Sequence, residues 1–260
     1  MKPLVLLVGG LDSGGGAGVL RDVETAKALK VSSRVAVTAI TPQNDRKVGA
    51  IHHVPPAVVA SQIATATEDP IHAVKLGMLG CRDTVEAVAG ALPDAPLIVD
   101  PVIESSSGHS LLDEGGLAAL LEKLLPKTVL LTPNLPELKQ IGASIGLAND
   151  ATQEQVVGAL LDRGCEAVLV KGGHCSDQDR SVDTLCRPNR KSVQFSSRRY
   201  PVQLRGSGCR LASAIAAHLG TGADLEPAIR QAKAFMVESF ARESEQSRNA
   251  IRERSGDLIL

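Results

Sequence analysis

"PLVLLVGGLDSGGGAG" (residues 3–18) decides the reading of the fold. Its first half is an unbroken apolar run of strand length. A strand without polar alternation is buried on both faces, as strands of parallel sheets are. Its second half is rich in glycine and leads into a stretch of helical spacing at 17–30. Strand, glycine loop and helix form the first half of a βαβ unit. The same alternation recurs along the chain. Apolar runs at 34–40, 72–78, 96–100, 128–132 and 166–172 are separated by helical patterns at 55–69, 82–92, 114–125 and 152–163. Repeated right-handed βαβ units predict an α/β fold, a central, mostly parallel sheet with helices on both faces. At 179–200 the pattern breaks into "RSVDTLCR", a "PNRK" turn and "SVQFSSR", which predict an antiparallel hairpin. Helices are expected from about 208 and 224, followed by a charged tail frayed from about 243. Without a low-complexity linker or repeat, residues 1–260 are expected to form one domain.

Bulk composition narrows the function classes. Of the 260 residues 43% are hydrophobic, enough for a large core. A net charge of −1, no Trp, one Tyr and three Phe argue against nucleic-acid binding. The N-terminal apolar run is too short to span a membrane and lacks a small-residue cleavage site. Five irregularly spaced cysteines do not suggest a disulfide framework, so a cytoplasmic setting is expected.

Polar and glycine-rich segments follow the predicted strands: "GGLDSGGGAG", "TPQND", "GMLG", "DPVIESSSG", "TPNLPE" and "KGGH". Open α/β sheets bind ligands beyond their C-terminal strand ends. The first loop has more glycines than a bare turn requires and suits close backbone approach to a ligand. It fits neither a dinucleotide fingerprint nor a Walker A loop. "GSGC" (206–209) opens a helix, where free amides and the positive dipole end suit an anion. That field would also give Cys209 thiolate character, against the alternative of a small buried hydrophobe. Asp100, Asn134 and Glu137 stand just past strands. They suit a magnesium ion, or Asn134 and Glu137 cap a helix. Lys171 is a phosphate-binding point charge or a solvated turn lysine. The spacing of His174 and Cys175 with Cys165 and Cys186 matches no usual zinc motif. His52 and His53 read as an exposed loop pair.

Taken together and in order, "LDSGGGAG", "TPQN", "VKLGMLG", "DPV", "TPNLPE", "LVKGGH" and "GSGC" resemble the ribokinase-like kinases of vitamin biosynthesis. The match is nearest to the hydroxymethylpyrimidine/phosphomethylpyrimidine kinase family of thiamine biosynthesis, over about residues 4–240. The resemblance implies that Asp12, Asp22, Gln43 and Met78 hold a pyrimidine. Gln43 can pair with a ring edge and Met78 can pack on the ring. It implies that Asp100, Asn134, Glu137 and Lys171 hold ATP, with Asp100 and Glu137 toward Mg²⁺, partly through water. Gly206, Ser207, Gly208 and Cys209 would form the anion hole for the phosphoryl group in flight. Cys209 would occupy the place of the aspartate base of many ribokinase-like enzymes. The alcohol and then its monophosphate would be phosphorylated by a homodimer. Ser106 departs from a usual lysine, Leu204 and Arg205 from a usual Thr-His, and Leu11 from a usual serine. Arg205 would compensate for the cation lost at Ser106. A pyridoxal/pyridoxine kinase and a catalytically weak pyrimidine-binding regulator are the rival expectations.

Overall fold

The computed structural model describes residues 2–44, 49–105, 108–172, 179–200 and 204–256, with side chains up to residue 245. One nine-stranded sheet runs through the molecule in the order β3-β2-β1-β4-β5-β6-β7-β8-β9. Its strands are β1 (Leu4–Asp12), β2 (Ser32–Thr41), β3 (His52–His53), β4 (Ala73–Leu76), β5 (Leu97–Val99), β6 (Leu130–Leu131), β7 (Val168–Val170), β8 (Arg180–Cys186) and β9 (Val193–Arg198). From β2 through β1 to β7 neighbouring strands are parallel. β3, β8 and β9 add antiparallel edges.

The expected parallel sheet and the hairpin at 179–200 are both present. Asn189 takes a left-handed φ of 55° at the hairpin turn, a conformation asparagine tolerates better than most residues. His52 and His53 are exposed as expected, yet they pair with Ile40 and Ala39 as a short strand. Several strands are shorter than their apolar runs because the last residues turn away to build loops.

Helices α1 (Gly18–Ala28), α7 (Ser207–Gly220) and α8 (Leu225–Gly256) cover one face of the sheet. The other carries α2 (Pro56–Ala66), α3 (Arg82–Ala91), α4 (Glu114–Ala119), α5 (Leu135–Ser144) and α6 (Gln153–Asp162). α4 continues through a π turn at Leu120–Leu124 and a 3-10 turn ending at Lys127. α5 was not among the helical patterns read from spacing. Pro136 lies in its first turn, where proline costs no helical hydrogen bond. α8 stays helical to Gly256, beyond the point where fraying is expected; its Glu, Gln and Arg are good helix formers.

Alternation along the strands assigns each side chain to one of two cores. Leu6 and Val8 of β1 face α2 and α3, while Val5 and Leu7 face α7. All four are fully buried, and each contributes roughly 1.5–3 kcal/mol of transfer free energy. Ala-rich α7 is buried nearly all round. Gly220 lets it approach the sheet, since a Cβ there would lie 3.1 Å from Val5 Cγ1. The strand order reverses direction at β1, between β2 and β4. That switch point opens a crevice at the C-terminal strand ends, and the polar loops collect there.

Candidate active site

β5, β6 and β7 lie side by side and deliver Asp100, the Thr132–Glu137 loop and Lys171 to one edge. The Lys171 amide donates to Pro133 O at 2.8 Å, tying the end of β7 to the loop after β6. Lys171 Nζ donates to Asp100 Oδ1 at 2.7 Å and lies 3.8 Å from Glu137 Oε2. Thr132 Oγ1 adds a contact to Asp100 Oδ1 at 3.3 Å. Burial works to raise the Asp100 pKa, but Lys171 and Lys75 overcome it and hold the carboxyl below the usual aspartate range. Glu137 has the weaker hold on Lys171. Burial, aided by the Asp100 charge, pushes Glu137 up to about 7. Burial opposes the Lys171 charge too, yet the two carboxylates lift its pKa to about 12. The helix-cap reading of this loop is also correct. Asn134 Oδ1 accepts the Glu137 amide at 2.8 Å, and Glu137 Oε2 accepts the Asn134 amide at 2.7 Å. One carboxylate thus caps α5 and faces Lys171.

The start of α7 abuts this group. Gly206 has φ of 67°, a left-handed turn that glycine adopts freely. A Cβ on Gly206 would stand 2.8 Å from Gly16 O and 3.0 Å from Ala17 Cα, so the two glycine loops touch. A Cβ on Gly208 would stand 3.1 Å from Lys171 Nζ and 3.6 Å from Asp100 Oδ2. The first turn of a 14-residue helix, whose leading amides lack intrahelical acceptors, is thereby set against the Lys171–Asp100 pair.

Of the two readings of Cys209, thiolate character or a small buried hydrophobe, the surroundings favour the second. Burial pushes its thiol up to about 11, and Asp22 and Asp100 add to the rise. Lys75 and the Gly18 amide at its sulfur oppose this without reversing it. Desolvation outweighs the helix field, so the thiol is neutral near pH 7. Alkylation of Cys209 by iodoacetamide, followed by peptide mass spectrometry, is expected to be slow at pH 7 and to accelerate up to pH 10 without a plateau. A plateau by pH 8 would mean an ionised thiol. The turnover of Cys209→Ser is accordingly expected to fall by less than about tenfold, because no thiolate is lost.

Sequence reasoning named Asp22 as a pyrimidine-holding residue but missed Lys75 and Ser213, which engage it in a layer beneath Cys209. On the buried strand β4, Lys75 shares the face of Ala73 and meets α1 and α7 instead of water. Its Nζ donates to Asp22 Oδ2 at 2.8 Å, while Ser213 Oγ of α7 donates to Asp22 Oδ1 at 2.7 Å. Burial opposes the Lys75 charge, but Asp22, Cys209 and Asp100 raise its pKa above the ordinary lysine value. The Asp22 pKa is raised by burial against the pull of Lys75 and Ser213. Asp22 is fully buried with both oxygens engaged. The available signal was Lys75 itself, a lysine inside an otherwise apolar strand.

The remaining expected residues surround the first loop. Asp12 is buried; its Oδ1 accepts the Gly14 amide at 2.8 Å and its Oδ2 accepts Arg205 Nη2 at 2.7 Å. The guanidinium lies against Gly16, where a Cβ would be 2.5 Å from Arg205 Cζ. Met78 is buried against Ala39 and Leu111, and a Cβ on Gly10 would lie 2.8 Å from its sulfur. The Gln43 backbone N–H donates to Ser13 Oγ at 3.2 Å. Ser106, His174 and Cys175 lie outside the described residues.

The phosphomethylpyrimidine kinase family profile matches residues 12–252. The chain belongs to that family. It is a kinase with a ribokinase-like fold and uses ATP as phosphoryl donor. A hydroxymethylpyrimidine/phosphomethylpyrimidine kinase of Rhizobium meliloti is 36% identical over 244 residues, spanning 91% of this chain and 90% of that protein. A thiamine biosynthesis bifunctional protein of Geobacter sulfurreducens is 39% identical over 238 residues; the match covers 90% of this chain and 48% of that longer protein. Among solved structures, a phosphomethylpyrimidine kinase from Clostridium difficile superimposes with a TM-score of 0.75 at 31% identity, covering 92% of this chain and 99% of that one. A Staphylococcus aureus pyridoxal kinase in complex with pyridoxal gives 0.82 at 28% identity, covering 93% and 88%.

Proposed function

We propose that this family member transfers the γ-phosphoryl group of ATP to the hydroxyl of 4-amino-5-hydroxymethyl-2-methylpyrimidine and then to its monophosphate, in thiamine diphosphate biosynthesis. One observation carries the reading: the first turn of α7 stands against the Lys171–Asp100 pair, so the positive end of a helix and a lysine lie side by side. Developing negative charge on a transferring phosphoryl group is stabilised by that combination. In this reading Lys171, Asp100, Asn134 and Glu137 hold the triphosphate end. The amides of Gly208 and Cys209 receive the phosphoryl group, the Ser207 amide being bonded to Leu204 O. Gln43 and Met78 hold the pyrimidine ring beside the loop anchored by Asp12. Asp22 acts from below, through Lys75. The neutral Cys209 thiol borders the reacting oxygen without acting as base. A loose transition state requires little deprotonation of the hydroxyl before attack.

Asp100 and Glu137 also fit magnesium. Their inward oxygens are engaged by Lys171 and by the Asn134 amide, while Asp100 Oδ2 and Glu137 Oε1 have no protein partner among the described residues. Two carboxylates, with water and phosphate completing the shell, make a usual magnesium site. The ion would neutralise phosphate charge.

The likeness to pyridoxal kinase structures supports a second reading, pyridoxal as acceptor. ADP release with ATP-Mg, measured on hydroxymethylpyrimidine, its monophosphate and pyridoxal, separates the two. Turnover on both pyrimidines is expected. Turnover on pyridoxal alone would select the second reading, and none on any acceptor would indicate a binding protein. A cytoplasmic homodimer completes the proposal, with sedimentation velocity as the check on assembly. Among the described residues no helix is long and apolar enough to cross a membrane.

A further inference from the structure

α8 places Ile229, Ala232 and Met236 on its sheet-facing stripe, and Lys233 falls on the same stripe at helical spacing. A lysine there must find a buried partner. Its Nζ donates to Asp183 Oδ2 at 2.7 Å and lies 3.4 Å from Ser181 O; both charged residues are buried. The other Asp183 oxygen accepts the Gly172 amide at 2.9 Å. Gly172 directly follows Lys171, and the two successive amides point in opposite directions. The Lys171 amide is held by Pro133 O of the loop after β6, while the Gly172 amide is held by a side chain of β8. A Cβ on Gly172 would fall on the Val182 carbonyl, so the strand end is pressed against β8 where Asp183 grips it.

We propose that Asp183, held by Lys233, is a positioning residue for phosphoryl transfer. It fixes the backbone of Gly172 and so the reach of Lys171 to Asp100 and the transferring group. Buried ion pairs are often replaceable by apolar residues without loss of stability. A pair placed on an apolar stripe and bonded to the backbone beside the site lysine serves geometry. Small displacements of such a group cost rate more than stability.

The proposal rests on the kinase reading above, and its test separates the two. In Asp183→Leu/Lys233→Met the pair is replaced by apolar side chains and the Gly172 acceptor is lost. Its kcat with hydroxymethylpyrimidine and ATP-Mg is expected to fall at least about tenfold, with KM for ATP raised and KM for the pyrimidine unchanged. Asp183→Asn/Lys233→Met retains a carbonyl acceptor and is expected to recover kcat to within about threefold of wild type. In the unsubstituted protein, NMR hydrogen exchange is expected to show the Gly172 amide protected by at least about a hundredfold. Wild-type kcat in the leucine variant, equal loss in both double variants, or an unprotected Gly172 amide would each overturn the proposal. Should the leucine variant not fold, the amide measurement decides. A wild-type protein inactive on both pyrimidines would defeat the kinase reading, whereas an active protein with an unprotected Gly172 amide would defeat this proposal alone.

Discussion

Lys171→Met is expected to lower kcat by about 10²–10³-fold, the usual cost of removing one donor aimed at developing charge. The side chain binds Asp100 directly, faces Glu137, and lies where the first turn of α7 delivers its amides. Steady-state kinetics with both pyrimidine acceptors would show the loss in kcat, with KM for the pyrimidine changed little. Lys171→Arg is expected to fail as a replacement. A planar guanidinium is bulkier than the compact ammonium and presents its donors in a fixed fork, so it does not reproduce the single contact of Nζ with Asp100 beside Gly208. An arginine variant with near-normal kcat would show that charge alone suffices and that the approach of α7 to this lysine is incidental.

Lys75→Met is expected to cost about 3–5 kcal/mol of stability, because it leaves the carboxylate of Asp22 buried without a cation. For a chain near this size that corresponds to a fall in Tm of roughly 6–20 °C. Urea unfolding at pH 7 measures it. Adding Asp22→Asn removes the stranded charge, so the double variant is expected to recover most of the loss. The pH dependence has a definite sign. Burial already raises the Asp22 pKa, and loss of Lys75 removes the main opposing influence. The folded variant then retains a proton that the unfolded chain gives up near the ordinary aspartate value. Stability relative to wild type falls as pH rises from the wild-type folded value, itself above the ordinary aspartate range, through the still higher value of the variant. The deficit is therefore smaller at pH 5 than at pH 8. An equal deficit at both would show that the loss is one of packing.

These two lysines show how unevenly the site was legible. Lys171 sits in "KGGH" at a strand end, and its surroundings in sequence advertise a loop with a task. Lys75 sits inside "VKLGM", where period and composition mark only a buried strand. Its partner Asp22 arrives from α1, 53 residues away, and Ser213, which donates to Asp22, arrives from α7, 191 residues from Asp22. Arg205 was noticed as a departure with a spare charge; the structure pairs it with Asp12, 193 residues away. The cap formed by Asn134 and Glu137 was readable because capping boxes are local, and the contact of Glu137 with Lys171 was not.

By itself the sequence determined the alternation of buried strands and helices, the antiparallel hairpin, and the collection of glycine and polar loops at one sheet edge. Those features depend on apolar period and turn chemistry, which act over a few residues. Only the tertiary structure decided which charges neutralise one another and that the Cys209 thiol is neutral. Ion pairing and desolvation depend on what surrounds a group in space. Around Cys209 those neighbours come from α1, α7, β4 and the end of β5, brought together only by the completed sheet and its helices.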